Sequence, residues 1–301
     1  MAQMEHRVAL ITGAARGQGR SHALRLAGEG ADIIAIDICS QMPLIAYPLG
    51  TADDLAETVR EVEKLGRRCV SFTADARDAA RMREVVAQAV EELGRLDTVV
   101  VNHGISIPTS VEDDAANDAW NTVIDTNLSA VWRTITATVP HLREHGGSIL
   151  VTASAAGLIG MYGNPAYVAA KHGIIGLVKA LAADLARYWI RVNAICPGNV
   201  PTTLLLNGDT LAAFFPGNPS AQYSDLEFPL SAMNLLATPW VETKAVSDAV
   251  LYLAAESGKY VTGIALPVDA GFTTQMPGIN PLLGKRLAEL AQAAGATTPT
   301  N

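Results

Sequence analysis

Tyr167 and Lys171 stand four residues apart in the segment YVAAK, inside a stretch whose pattern predicts one helix from Pro165 to Tyr188. The i, i+4 spacing stacks both side chains on one helix face. A tyrosine has an ordinary pKa of about 10, so proton exchange near neutral pH needs a cation close enough to stabilise the phenolate. Lys171 is placed to be that cation. Alone, the pair is a weak signal, because helices carry this spacing by chance. Ser154 strengthens it: thirteen residues before Tyr167, it closes the apolar run SILVTAS, at the rim where open α/β sheets present side chains to ligands.

A second constellation lies near the N-terminus. The run TGAARGQG, Thr12 to Gly19, places Gly13, Gly17 and Gly19 between a strand pattern and a helix pattern. Glycine there allows a tight turn, close approach of a diphosphate and helix-to-strand packing, with the helix N-terminus facing the anion. Asp37 ends the next apolar run, 24 residues after Gly13, close to the offset of an acid that accepts hydrogen bonds from an adenosine ribose. Such a carboxylate would repel the 2′-phosphate of NADP, which favours NAD. Arg16 in the glycine loop pulls the other way, and a carboxylate aimed at the ribose should outweigh it.

The elements that must position these residues are legible in the spacing. Seven short β-branched runs, Val8 to Thr12, Asp32 to Asp37, Arg68 to Thr73, Leu96 to Asn102, Ser148 to Ser154, Arg191 to Cys196 and Ile264 to Asp269, read as strands. Helical patterns alternate with them at about Gly17 to Gly30, Asp53 to Leu65, Ala79 to Leu93, Asn117 to Glu144, Pro165 to Tyr188 and Thr243 to Ala255. This alternation predicts an α/β chain: a single-domain Rossmann fold, a doubly wound seven-stranded parallel sheet with helices on both faces. Its core runs from about residue 7 to 272, with a tail at 273–301 expected to fray. Two excursions interrupt it. Residues 38–51 are apolar, carry two prolines and exceed the usual length of such a connection. Residues 199–240 hold five of the chain's 16 aromatics and read as a loop that walls a pocket.

Composition narrows the function classes. A chain of 301 residues that is 49% hydrophobic buries an ample core, and a net charge of −8 gives no pull toward nucleic acid or anionic membranes. The three cysteines lack metal-ligand spacing, so neither a metal site nor a disulfide framework is expected. The N-terminus enters a strand directly and no run comes near a membrane span, which makes a cytoplasmic protein the expectation.

In order, TGAARGQG, Asp37, Asp75, NHG (Asn102 to Gly104), Asn127, Ser154, YVAAK and PGNVPT (Pro197 to Thr202) resemble the motifs of the short-chain dehydrogenase/reductase superfamily. The resemblance implies an NAD(P)-dependent oxidoreductase with Tyr167 as acid/base and Ser154 on the substrate oxygen. It also implies that Lys171 binds the nicotinamide ribose and tunes Tyr167, and that Asn127 anchors a proton-relay water. Cofactor contacts are implied for Gly13, Arg16, Gly17, Gln18, Gly19, Asp37, Asp75, Ala76, Asn102, Gly104, Tyr167, Lys171, Pro197, Gly198, Val200 and Thr202. Of these, Asp75 would lie against adenine, Asn102 on the adenosine side and the Pro197–Gly198 turn against nicotinamide.

The insertion after Asp37, continuing into YPLGTADDLAETVREVEKLGRR, is similar to the carveol-dehydrogenase-like, mycofactocin-coupled branch known from actinobacteria. In that branch the insertion goes with firmly held NAD and reoxidation by an external redox carrier. The implied substrate is a small apolar alcohol or ketone, carveol-like or another cyclic or terpenoid alcohol. Met42, Leu44, Ile45 and Tyr47 are expected to close over the adenosine half. His103 departs from the superfamily, which usually has a small residue there, and would either narrow the cleft or face solvent. Alternatives are a 3-oxoacyl-carrier-protein-type reductase, disfavoured by Asp37 and the net charge, and a non-catalytic dinucleotide-sensing protein, disfavoured by the complete tetrad. Apolar residues around nearly the whole Pro165–Tyr188 helix predict a homo-oligomer, by resemblance a tetramer.

Overall fold

Along β1 (Val8–Thr12) apolar side chains alternate between two faces, Val8 and Leu10 entering the core on one side and Ala9 and Ile11 on the other. The same period of two sends Val99 and Val101 of β4 (Thr98–Val101) one way and Val100 the other. Both faces must therefore be covered. In the computed structural model, which describes residues 2–274, helices cover both. The expected tail lies, from residue 275 onward, outside the described residues.

Five further strands complete the sheet: β2 (Asp32–Asp37), β3 (Cys69–Thr73), β5 (Gly147–Thr152), β6 (Ile190–Pro197) and β7 (Ala265–Val268). All pairs are parallel, in the order β3-β2-β1-β4-β5-β6-β7. The strand order reverses between β1 and β4, whose C-terminal ends, Thr12 and Val101, are in register. A crevice opens at such a switch point, and ligands of open α/β sheets bind there.

One face is covered by α1 (Gly17–Ala27) and α9 (Thr243–Ala254), with α2 (Ala52–Lys64) beside them. The other is covered by α3 (Ala79–Leu93), α5 (Ala130–Leu142) and α6 (Pro165–Leu185). Ile174, Val178, Leu181 and Leu185 form the buried stripe of α6. By length and composition Pro165–Tyr188 also qualifies as a membrane span, contrary to the expectation that no run comes near one; in the fold this helix is a cover of the sheet.

The single helix expected from Asn117 to Glu144 is interrupted. It forms α4 (Ala116–Ile124), a wide π-type turn at Asp125–Ser129, and then α5. Such bulges recur at functional sites, and this one carries Asn127. The second excursion, read as loop, contains α7 (Gly208–Phe214) and α8 (Glu227–Ala232). Both are too short for a hydrophobic period to reveal, although Asn207 is a visible start signal: its Oδ1 accepts the Thr210 N–H at 3.0 Å. The first excursion ends at Thr51, which caps α2 reciprocally with Asp54.

Candidate active site

β5 runs out at Thr152, and Ser154 follows in extended backbone, its Oγ accepting the Ala156 N–H at 3.1 Å. Tyr167 comes from the first turn of α6, which Pro165 opens. Lys171, one turn later, is 3% exposed, donates from Nζ to the Thr152 carbonyl at 2.7 Å, and lies 5.5 Å from the centre of the Tyr167 ring. Burial pushes the Lys171 ammonium down to about 8. Burial raises the Tyr167 phenol, and the neighbouring Ser154 hydroxyl works in the opposite direction by favouring phenolate.

Asn127 closes the group. It is fully buried, and its side chain is committed to one residue: Oδ1 accepts the Ile105 N–H at 2.9 Å and Nδ2 donates to the Ile105 carbonyl at 2.7 Å. Gly104 lies between Asn127 and Lys171, where a Cβ would come within 3.4 Å of Asn127 Oδ1 and 3.6 Å of Lys171 Nζ. The wide turn thus fastens the loop after β4 beside the lysine. Ser154, Tyr167 and Lys171 all line one cavity of about 740 Å³.

The same cavity extends over the C-terminal ends of β1, β2 and β4, where it is lined by Gly13, Arg16, Gly17, Gln18, Asp37, Asp75, Ala76, Asn102 and Gly104. Gly13 has φ +66, and a Cβ on Gly19 would collide with the Gly13 carbonyl, so Gly19 packs beneath the turn and does not line the cavity. α1 has no side-chain cap and no acid in its first turn, which leaves its N-terminal amides to an anion. Gln18 Oε1 and Asn199 Nδ2, from two residues of the cavity wall, are buried without a hydrogen-bond partner among the described residues. A glycine turn, uncapped amides and orphaned polar atoms fit a dinucleotide.

Two carboxylates at this end are already held by the protein. Asp37 accepts the Ala15 N–H at 3.0 Å and the Cys39 N–H at 3.2 Å. Asp75 is gripped by the Arg77 guanidinium at 2.6 to 3.0 Å; although burial works against it, this pairing holds the carboxyl below its usual range. Asn102 braces the turn, donating from Nδ2 to the Thr12 and Gly13 carbonyls at 3.3 Å while Oδ1 accepts Thr152 Oγ1–H at 3.2 Å. Pro197, Gly198, Val200 and Thr202 also line the cavity, with Thr202 beside Gly17.

His103 lines the cavity, and its Nδ1 lies 2.8 Å from Thr12 Oγ1. That hydroxyl oxygen accepts the Asn102 N–H at 3.1 Å, so the network has the hydroxyl donating to Nδ1. Burial, aided by the Lys171 charge, pushes the imidazole down to about 4, and His103 is neutral at physiological pH. Of the two expectations, facing solvent does not hold: His103 lines the cavity and braces the glycine turn through Thr12.

The excursions meet over the cavity. Met42, Ile45 and Tyr47 are buried against Ile105, Val123 and Ala166, with Tyr167 and Leu204 packed on the same cluster. The first excursion therefore reaches from Asp37 to α6, which carries Tyr167. Leu44, expected among the covering side chains, is 49% exposed, because its backbone turns through φ +66 and carries the side chain outward. Tyr47 Oη accepts the Ser106 N–H at 2.9 Å, and burial pushes its phenol up to about 12. From the second excursion Leu204, Leu205 and Phe214 line the cavity with Met161 and Tyr162, while Phe215, Tyr223, Phe228 and Trp240 do not.

The profile of the short chain dehydrogenase family matches residues 7–209. The chain belongs to that family. This short-chain dehydrogenase is 46% identical over 275 residues to (−)-trans-carveol dehydrogenase of Rhodococcus erythropolis, covering 91% of this chain and 99% of that one. It is 32% identical over 275 residues to cyclohexanol dehydrogenase of an Acinetobacter species, covering 91% and 97%. Among solved structures, carveol dehydrogenase from Mycobacterium avium in complex with NAD superposes with a TM-score of 0.89 at 44% identity, covering 91% of this chain and all of that one. The motifs of this short-chain dehydrogenase thus converge, in the fold, on one cavity.

Proposed function

We propose that this dehydrogenase interconverts apolar cyclic or terpenoid alcohols and their ketones, with NAD as the hydride carrier. The observation that carries the reading is that Met161, Leu204, Leu205, Phe214, Leu230 and Met233 line the same cavity as Ser154 and Tyr167, with Asn207, Asp209 and Thr210 as polar members of that lining. The cations among the described lining residues are engaged elsewhere: Arg16 with the Pro48 carbonyl, Arg77 with Asp75, Lys171 with the Thr152 carbonyl. A neutral, apolar substrate suits such a pocket. Relatives named for carveol and cyclohexanol support the same class.

When bound, nicotinamide supplies the hydride acceptor and donor. Ser154 Oγ holds the substrate oxygen. Tyr167 Oη takes the hydroxyl proton during oxidation and returns it during reduction. Lys171 Nζ, adjacent to the ring, stabilises the phenolate through its charge. Asn127 anchors the loop beside it through both polar atoms of its side chain, which leaves the implied relay water to Lys171 and to groups other than that side chain.

The insertion supports firm retention of NAD and its reoxidation by an external carrier. A homo-oligomer, as a tetramer, is supported by apolar surface left open: Trp120 and Trp132 are 44% and 49% exposed, and Gly176 and Ala180 of α6 are uncovered. Purified protein supplied with a cyclic secondary alcohol should accumulate reduced nicotinamide, bound or free, and its mass should exceed one chain by light scattering. Turnover confined to charged, hydrophilic alcohols would refute the substrate class, and a monomer at micromolar concentration would refute the assembly.

A further inference from the structure

The insertion between β2 and α2 is seated on the carboxylate it follows. Asp37 is 8% exposed, and each of its oxygens already accepts a backbone N–H. Gly50, where the chain returns to α2, closes over the same group. A Cβ built on it would lie 2.9 Å from Ala15 Cβ and 3.3 Å from Asp37 Oδ1. Glycine is demanded here by space alone. Two residues earlier, the Pro48 carbonyl accepts a hydrogen bond from the Arg16 guanidinium. The other arginine lining this end, Arg77, is paired with Asp75.

The insertion is also braced from within. Gln41 Nε2 donates to the Ile45 and Tyr47 carbonyls at 2.9 and 3.2 Å, and its Oε1 accepts the Leu49 N–H at 3.1 Å. Tyr47 ties the segment to Ser106 after β4. Pro48 and Gly50 therefore hold their places through contacts on both sides of the cavity.

We infer that this insertion, and not the Asp37 charge by itself, excludes a dinucleotide carrying a 2′-phosphate. Gly50 packs beside Asp37, where a 2′-phosphate would have to be accommodated, and the Pro48 carbonyl takes the arginine that would otherwise neutralise it. A dianionic phosphate needs both room and a counter-charge. Neutralising Asp37 supplies neither while the insertion is seated. The inference rests on the dinucleotide-dehydrogenase reading above, and it differs from the simpler expectation that the acid alone sets the choice.

The test is equilibrium binding of NAD and NADP by isothermal titration, on protein freed of any bound nucleotide. Three chains are compared: wild type, Asp37→Asn, and Asp37→Asn with residues 40–48 replaced by Gly-Gly. In Asp37→Asn, NADP should remain weaker than NAD by about 100-fold, and shortening the insertion should then improve NADP binding by about tenfold or more. Because the shortened chain could fail to fold, Gln41→Ala combined with Asp37→Asn provides a point change in the same direction with a smaller gain. Cooperative thermal unfolding and a wild-type circular dichroism spectrum report that each variant is folded. The inference is overturned if Asp37→Asn alone brings NADP to within about tenfold of NAD, or if folded variants with a loosened insertion gain nothing. Wild-type protein that binds neither dinucleotide would overturn the dehydrogenase reading as well, so the two failures are distinguishable.

Discussion

The two ends of the cavity handle charge in opposite ways. At the end lined by Gly13 and Gly17, the Asp37 and Asp75 side chains have their partners supplied: two backbone amides for one, a guanidinium for the other. At the reacting end Lys171 is pushed down to about 8 and Tyr167 is raised, both by burial. One end is organised to bind, with its charges satisfied before a ligand arrives. At the other, burial favours the neutral form of both groups, which brings the Lys171 ammonium closer to proton exchange near neutral pH and leaves the Tyr167 phenolate dependent on a neighbouring positive charge.

The largest effect that would break this contrast is Tyr167→Phe. It keeps the ring and removes the proton, so turnover should fall by about 10²- to 10⁴-fold while NAD affinity, read by titration, stays near wild type. Near wild-type turnover on a good alcohol would show that the reacting end has been misplaced.

Lys171→Met sharpens the contrast through pH. The folded-state pKa of about 8 lies below the ordinary lysine value of 10.5, so the charged lysine costs stability at and below about pH 8, and the cost fades as pH rises toward 10.5. Wild type should therefore gain in thermal midpoint relative to Lys171→Met between about pH 7 and about pH 10, while the variant loses turnover throughout. A difference in midpoint that is flat with pH would show that the lysine is not desolvated.

Phe214→Ala tests whether the second excursion shapes the substrate side only. KM for an apolar cyclic alcohol should rise by about tenfold, with NAD affinity unchanged; equal loss for both ligands would merge the two ends. The smallest effect is expected from Gln41→Ala, which removes the brace inside the first excursion. Denaturant unfolding should register a loss of about 1 kcal/mol. No loss would mean that the insertion holds its shape without that side chain.

Local spacing made much of this readable. The strand runs fall within a residue or two of the observed strands, because strands covered on both faces need nearly continuous apolar text. Gly13, Asp37 and the Tyr167–Lys171 pair were recognisable since each depends on its position relative to a strand end or a helix turn. The wide turn at Asp125–Ser129 was not, because one added residue per turn barely alters a hydrophobic period. α7 and α8 were equally hidden by their length.

By itself the sequence determined the order of elements, the parallel sheet and the placing of Tyr167 and Lys171 on one helix, all consequences of periodicity and of short-range offsets along the chain. Only the tertiary structure decided what the polar groups do to one another. That Arg16 is taken by Pro48, that Gly50 rests on Asp37, that Asn127 is spent on Ile105 and that His103 braces Thr12 are contacts between residues 13 or more positions apart. Their existence depends on how helices and loops pack over a shared crevice, and hydrogen-bond partners and burial there set each group's charge and reach. A residue type and its neighbours in sequence carry none of that information, because desolvation and hydrogen bonding act through space.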